Sequence, residues 1–190
     1  MSFASDKQKL LFIHTHRTGG TTVRKALKEA DPAVRMIGLG HQTLAEVKEL
    51  DEIAAGYYSF AAVREPREWL WSLYKYVTWP LAGHRDWKLV SGMQFDVFVR
   101  WLVEEGFKRD ATYRRQSEFA AGVSCVYPFE LMADAVPFIF ESCGLPVVPL
   151  LHELKTPRLI CYWGMGLTGY VEEHFAEDVA LHQKTMEAWL

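Results

Sequence analysis

Leu10-Leu11-Phe12-Ile13-His14-Thr15-His16-Arg17-Thr18-Gly19-Gly20-Thr21-Thr22 is the stretch on which the fold turns. Its first four residues form a short apolar run of buried-strand type, and Val23, Ala26, Leu27 and Ala30 follow at helical spacing. A strand that breaks on Gly19-Gly20 into a helix points backbone N–H groups at one spot, and the positive end of the helix dipole faces the same spot. The spacing predicts an anion cradle suited to phosphate or a group built like it.

Working outward, Asp31-Pro32 makes a turn and 34–38 reads as a second strand. Gly40-His41-Gln42 follows it. Thr43 and Glu46 then have capping-box spacing, with Leu44, Val47 and Leu50 on one helical face. The stretch 57–63 is the strongest strand by β propensity. Arg64-Glu65-Pro66 ends it, and Pro66 suits the first turn of a helix whose apolar face is Trp69, Leu70, Leu73 and Val77. Further on, 79–93 reads as a loop, 95–103 as an apolar helix and 109–122 as a helix. A fourth strand is expected over 124–129 and a helix over 132–143 despite Pro137. The stretch 146–157 reads as extended or looped. Val171, Phe175, Val179, His182, Met186 and Trp189 form the stripe of one C-terminal helix. Strands alternating with helices predict an α/β fold: one domain over 1–190, with a central, mostly parallel sheet covered by helices on both faces. Ligands bind such sheets beyond the carboxyl ends of the strands, where the Gly-Gly loop, His41 and Arg64 all fall.

The bulk properties narrow the function. With 190 residues, 49% of them hydrophobic, the chain can bury a core, which excludes disorder. A net charge of −3 excludes nucleic-acid binding through bulk positive charge, so any anion site is local. Cys125, Cys143 and Cys161 are scattered and odd in number, the pattern of free thiols in a reducing compartment. No run reaches membrane-spanning length, the first apolar segment is too short for a signal peptide, and the chain contains no Asn. A soluble cytoplasmic protein is expected.

The loop departs from the P-loop of nucleotide hydrolases, GxxxxGK[ST]. Gly20 stands at the Lys position, His14 at the first Gly position, and Arg17 supplies the cation from before the glycines. No apolar strand ending in a magnesium-binding Asp accompanies it.

In Phe12-Ile13-His14-Thr15-His16-Arg17-Thr18-Gly19-Gly20-Thr21-Thr22 the chain resembles the first signature of the sulfotransferase superfamily, carbohydrate-type branch, F-I-H-x-P-K-T-G-G-T-S. Val63-Arg64-Glu65-Pro66-Arg67-Glu68-Trp69-Leu70-Trp71-Ser72-Leu73-Tyr74 is similar to the second, V-R-D-P-x-E-R-x-x-S-x-Y. His41-Gln42-Thr43 matches the placement of a His that often lies between them. Weaker likenesses are Gln116, Phe129-Glu130 and the helix around 175–178. The order and spacing of the first two blocks carry the resemblance.

The resemblance implies a donor, 3′-phosphoadenosine 5′-phosphosulfate, whose product is adenosine 3′,5′-bisphosphate, with a small-molecule or carbohydrate acceptor and no metal. Arg17, Thr18, Gly19, Gly20, Thr21 and Thr22 would hold the 5′-phosphosulfate; Arg64 and Ser72 would hold the 3′-phosphate. His41 would be the general base, since a neutral imidazole can take the proton from an acceptor hydroxyl. Arg17 replaces the family's usual Lys and cannot give up its proton, so its expected role is to stabilise charge on the leaving oxygen. His14 matches a family position and orients the loop at most. His16 stands where the family usually has Pro, which leaves its role open. A metal site of His14, His16 and His41 lacks an acidic ligand. Tyr113, Arg114, Arg115 and Gln116 touch the ligands or belong to a solvated face, and Lys155 and Arg158 would add charge on the 3′-phosphate side. Two other readings stand beside this one: a P-loop-like small-molecule kinase and a non-catalytic nucleotide-binding relative.

Overall fold

A computed structural model describes residues 1–150 and 165–190, with the side chain of Met165 left out. Lys155, Arg158 and Cys161 lie outside the described residues, as does the expected extended stretch from 151 onward. Five strands form one sheet: β1 (Ser2–Ser5), β2 (Leu10–Ile13), β3 (Arg35–Ile37), β4 (Tyr58–Val63) and β5 (Cys125–Pro128), in the order β3-β1-β2-β4-β5. The core is parallel, β2 with β4 (Phe12 opposite Phe60) and β4 with β5 (Ala61 opposite Val126). The expectation of a mostly parallel sheet needs correction. β1 pairs antiparallel with both β2 and β3, so the sheet is mixed, and β1 alone runs against the other four. Ser2-Phe3-Ala4-Ser5 has one strong β-former and gives no strand signal. Tertiary burial overrides that: all four residues are shielded, and Ser5 Oγ donates to Asp31 Oδ2 at 2.6 Å.

The strand alternation sorts the helices onto two faces. Leu10 and Phe12 of β2 join Phe60 of β4 against α1 (Gly20–Ala30) and a later helix carrying Val136 and Phe140. Leu11 and Ile13 point the other way, against Val47 of α2 (Leu44–Leu50), Ala54 of α3 (Glu52–Ala55) and Phe119. α2 starts at the predicted capping box, with Thr43 and Glu46 each accepting from the other's backbone. α4 (Pro66–Thr78) begins on Pro66 and stops before Trp79-Pro80, where the α conformation is disfavoured. Its apolar stripe Trp69, Leu70, Leu73 and Val77 packs with Phe98, Val99 and Leu102 as a separate cluster.

Three elements differ from expectation. The stretch 79–93 is not all loop: a 3-10 turn at Pro80–Ala82 and α5 (Trp87–Val90) interrupt it, before α6 (Phe95–Glu104). The helix expected over 109–122 is broken into a 3-10 turn at Ala111–Tyr113 and α7 (Gln116–Ala120), because the Asp110 side chain accepts from the Thr112 N–H and competes with helical bonding. After α8 (Met132–Ser142), which accommodates Pro137, the C-terminal stripe spans two helices, α9 (Met165–His174) and α10 (Ala176–Trp189), meeting at buried Phe175.

β2, β3, β4 and β5 all point the same way. The residues that follow them (His14 onward, Gly38–His41, Arg64 and Phe129) therefore lie along one edge of the sheet.

Candidate functional site

The loop between β2 and α1 is tightly determined. Arg17 takes φ 61°, left-handed backbone that a non-glycine residue rarely occupies, and Gly19 takes φ 75° as the cap of α1. A Cβ on Gly19 would stand 2.9 Å from both Met132 Sδ and Phe129 Cε2, and one on Gly20 would fall inside the His14 imidazole. Gly19 is thus required by packing and by its left-handed backbone, and Gly20 by packing alone. Thr18 Oγ1 turns inward to donate to the Thr15 carbonyl at 2.9 Å, so Thr18 fastens the loop. The Gly19 carbonyl accepts from Thr22 N–H, Gly19 brings no side-chain cap to α1, and no carboxylate stands in its first turn. The helix start is left open on its positive end, with Gly20, Thr21 and Thr22 forming its first turn.

His41 reaches this loop from the end of β3. Its Nδ1 lies 2.8 Å from the His14 carbonyl. A carbonyl only accepts, so Nδ1 carries the hydrogen and Nε2 keeps a free lone pair. The His41 ring packs edge-on against His14 and against His16, 4.5 Å between centroids in each case. Burial pulls the His41 imidazole down from its ordinary 6.5 to about 4, opposed by its bond to the His14 carbonyl. Burial also holds His14 and His16 well below the ordinary imidazole range, and neighbouring His41 adds to it. All three rings are neutral at pH 7. Among the described residues, no group of three or more His, Cys, Asp or Glu is placed to hold a metal ion.

The second block meets the first along one stripe of α4. Glu68, Ser72 and Tyr76 recur every four residues and share a face. Arg17 Nε donates to buried Ser72 Oγ at 3.1 Å, across 55 positions of sequence. The Arg17 guanidinium lies over the Tyr76 ring, 4.9 Å from its centroid, and the same ring meets His16 at 5.2 Å. Burial lowers the Arg17 pKa, and the charge of Arg64 lowers it further, so the two guanidiniums feel one another.

Arg64 sits where β4 ends. Gln116 clamps its backbone, accepting from the Arg64 N–H at 2.8 Å and donating to its carbonyl at 2.9 Å. Gln116 is itself held through its own N–H by Asp178 of α10, 3.1 Å away. The Arg64 guanidinium lies 4.7 Å from the Phe129 ring centroid, and Nη2 is 3.2 Å from Glu68 Oε2. Arg64, Glu68, Phe129, Glu130 and Met132 line a cavity of about 510 Å³, together with Ala133 and Leu150. Glu130 is fixed in its wall by the Glu65 N–H at 2.9 Å and by His182 Nε2 at 3.1 Å. Phe129 and Met132 both line this cavity and bound Gly19, so the cavity adjoins the loop.

The structure thus brings Arg17, Ser72, Gly19, Gly20, Arg64 and His41 to one edge of the sheet. Arg17 and Ser72, assigned in the sequence to opposite ends of a ligand, are directly bonded. Of the polar stretch 113–116, Gln116 touches the site. Arg114 instead forms a two-pronged ion pair with Glu46 at 2.6 and 2.7 Å, and Tyr113 bonds Asp86. Sequence reasoning gave no site role to Tyr76 or Glu68. The signal was present, because both lie four residues from Ser72 on one helix. No helix among the described residues is long and apolar enough to cross a membrane. No family model, curated protein or solved structure matches the chain.

Proposed function

We propose that this protein transfers a sulfuryl group from 3′-phosphoadenosine 5′-phosphosulfate to a hydroxyl or amine of a small-molecule or carbohydrate acceptor. The observation that carries the reading is the Arg17–Ser72 bond beside Arg64, because it joins the two distant sequence blocks into one cationic site. The residues suit the donor. An uncapped helix start with a cation beside it favours one anionic group, and a guanidinium in the wall of a neighbouring cavity favours a second. The cavity volume lies within the roughly 300–1,000 Å³ usual for small-molecule clefts.

The donor would supply a sulfuryl group activated by its bond to the 5′-phosphate. As the acceptor oxygen bonds to sulfur, His41 Nε2 takes the acceptor's proton, and the bond between sulfur and the phosphate oxygen breaks with its electron pair left on that oxygen. Arg17 and the first N–H groups of α1 stabilise this charge. At about 4, His41 is a weak base in the free protein. An anionic ligand beside it raises its pKa toward the useful range.

Thermal shift with adenosine 3′,5′-bisphosphate, ATP–magnesium and AMP is the first test. The bisphosphate at a hundred times its Kd is expected to raise Tm by about 5–10 °C. A shift with ATP–magnesium alone would favour a P-loop-like kinase instead. Bisphosphate binding without labelled-sulfate transfer to any hydroxyl compound would favour a non-catalytic nucleotide-binding relative.

A further inference from the structure

The cation assigned to the 3′-phosphate is already occupied. Arg64 has a side chain only 13% exposed, buried in the cavity wall, and its Nη2 meets the Glu68 carboxylate at 3.2 Å. Glu68 is 47% exposed. Of the carboxylates near Arg64, Glu130 and Glu68 are held very differently. Glu130 is tied by two partners, the Glu65 N–H and His182. The Glu68 side chain is held by Arg64, whose Nη2 donates to its Oε2. Glu68 stands one turn before Ser72 on the stripe of α4 that faces the loop.

Resting on the sulfotransferase reading above, we propose that Glu68 is an internal competitor for the second phosphate, a carboxylate that covers Arg64 until a phosphate monoester displaces it. The exchange is inexpensive for the right ligand. Glu68 is itself half-exposed and returns to water when displaced, and an i,i+4 pair contributes little stability, so its loss is a small cost. A phosphate monoester carries about −1.5 to −2 at pH 7 against −1 for the carboxylate, and brings three acceptor oxygens to a guanidinium fork. A ligand with a neutral 3′-hydroxyl offers Arg64 nothing to replace Glu68. Displacing the carboxylate is therefore a cost met only by ligands that carry the second phosphate, and Glu68 sets their affinity while leaving that of mononucleotides unchanged.

Calorimetric titration of the full chain tests this with adenosine 3′,5′-bisphosphate and AMP against wild type, Glu68→Gln and Glu68→Asp. Glu68→Gln keeps the side-chain shape and removes the charge. It is expected to bind the bisphosphate about three- to tenfold more tightly, with AMP changed less than twofold. Glu68→Asp keeps the charge but draws it back from Arg64, and is expected to tighten bisphosphate binding less than Glu68→Gln. Unchanged or weaker bisphosphate binding by Glu68→Gln, with wild-type binding intact, overturns the role of Glu68 and leaves the donor assignment standing. Equal tightening for AMP also overturns it. Failure of wild type and both variants to bind the bisphosphate overturns the donor assignment and this inference together.

Discussion

Two helices begin at the same edge of the sheet, each fed by a parallel strand, and they begin in opposite ways. α1 follows β2 and opens on Gly19-Gly20 with no side-chain cap and no carboxylate in its first turn. α4 follows β4 and is capped by Glu65, which accepts from the Glu68 N–H at 2.8 Å. Glu68 lies in its first turn, and Glu130 accepts from the Glu65 N–H. Among the described residues neither a side-chain cap nor a first-turn carboxylate answers the dipole of α1, whereas both answer that of α4. What remains for an anion at α4 is a side chain, Arg64, and that too is covered. One site is open by backbone; the other is closed until a competitor arrives.

The largest expected effect falls where the two helices meet. Arg17→Ala removes the cation at the α1 start and its bond to Ser72, and turnover should fall by about 10²–10³ with donor affinity also reduced. His41→Ala should abolish most turnover, about 10²–10⁴, while bisphosphate affinity stays within a fewfold. Single-turnover kinetics and calorimetry on both variants check this, and equal losses of affinity would remove the distinction between base and binding residue.

Next is the α1 opening itself. Gly20→Ala places a methyl group in the His14 ring and is expected to cost about 1–3 kcal/mol, read from the shift of the urea midpoint. No cost would mean that His14 moves freely and that the loop is not held by packing. The smallest effect is at α4. Glu65→Ala deletes a cap and a partner of Arg67, and about 1 kcal/mol of stability should go with it. A cost as large as at Gly20 would make the α4 start as tightly determined as the α1 start.

Much of this edge is legible in the sequence, for identifiable reasons. The Gly19-Gly20 break, the capping box at Thr43–Glu46 and the Pro66 start are local signals, and local hydrogen bonding honours them. β1 is illegible because its serines are buried by pairing on both sides, with β2 and with β3, rather than by their own propensity. The clamp of Gln116 on Arg64 is equally hidden. Nothing within a few residues of either one requires it, and 52 positions separate them. The direct Arg17–Ser72 bond escapes motif reading for the same reason, since motifs assign residues to a ligand and not to each other.

The Gln116 clamp ties the edge of the sheet to the far end of the chain. Arg64 is gripped by Gln116, and the amide of Gln116 is gripped in turn by Asp178. During synthesis the first ninety residues can pair β2 with β4 long before α10 leaves the ribosome. The strand end bearing Arg64 is locked only when residue 178 has emerged and docked. The nascent protein can therefore pair β2 with β4 before the second anchor of Arg64 is made.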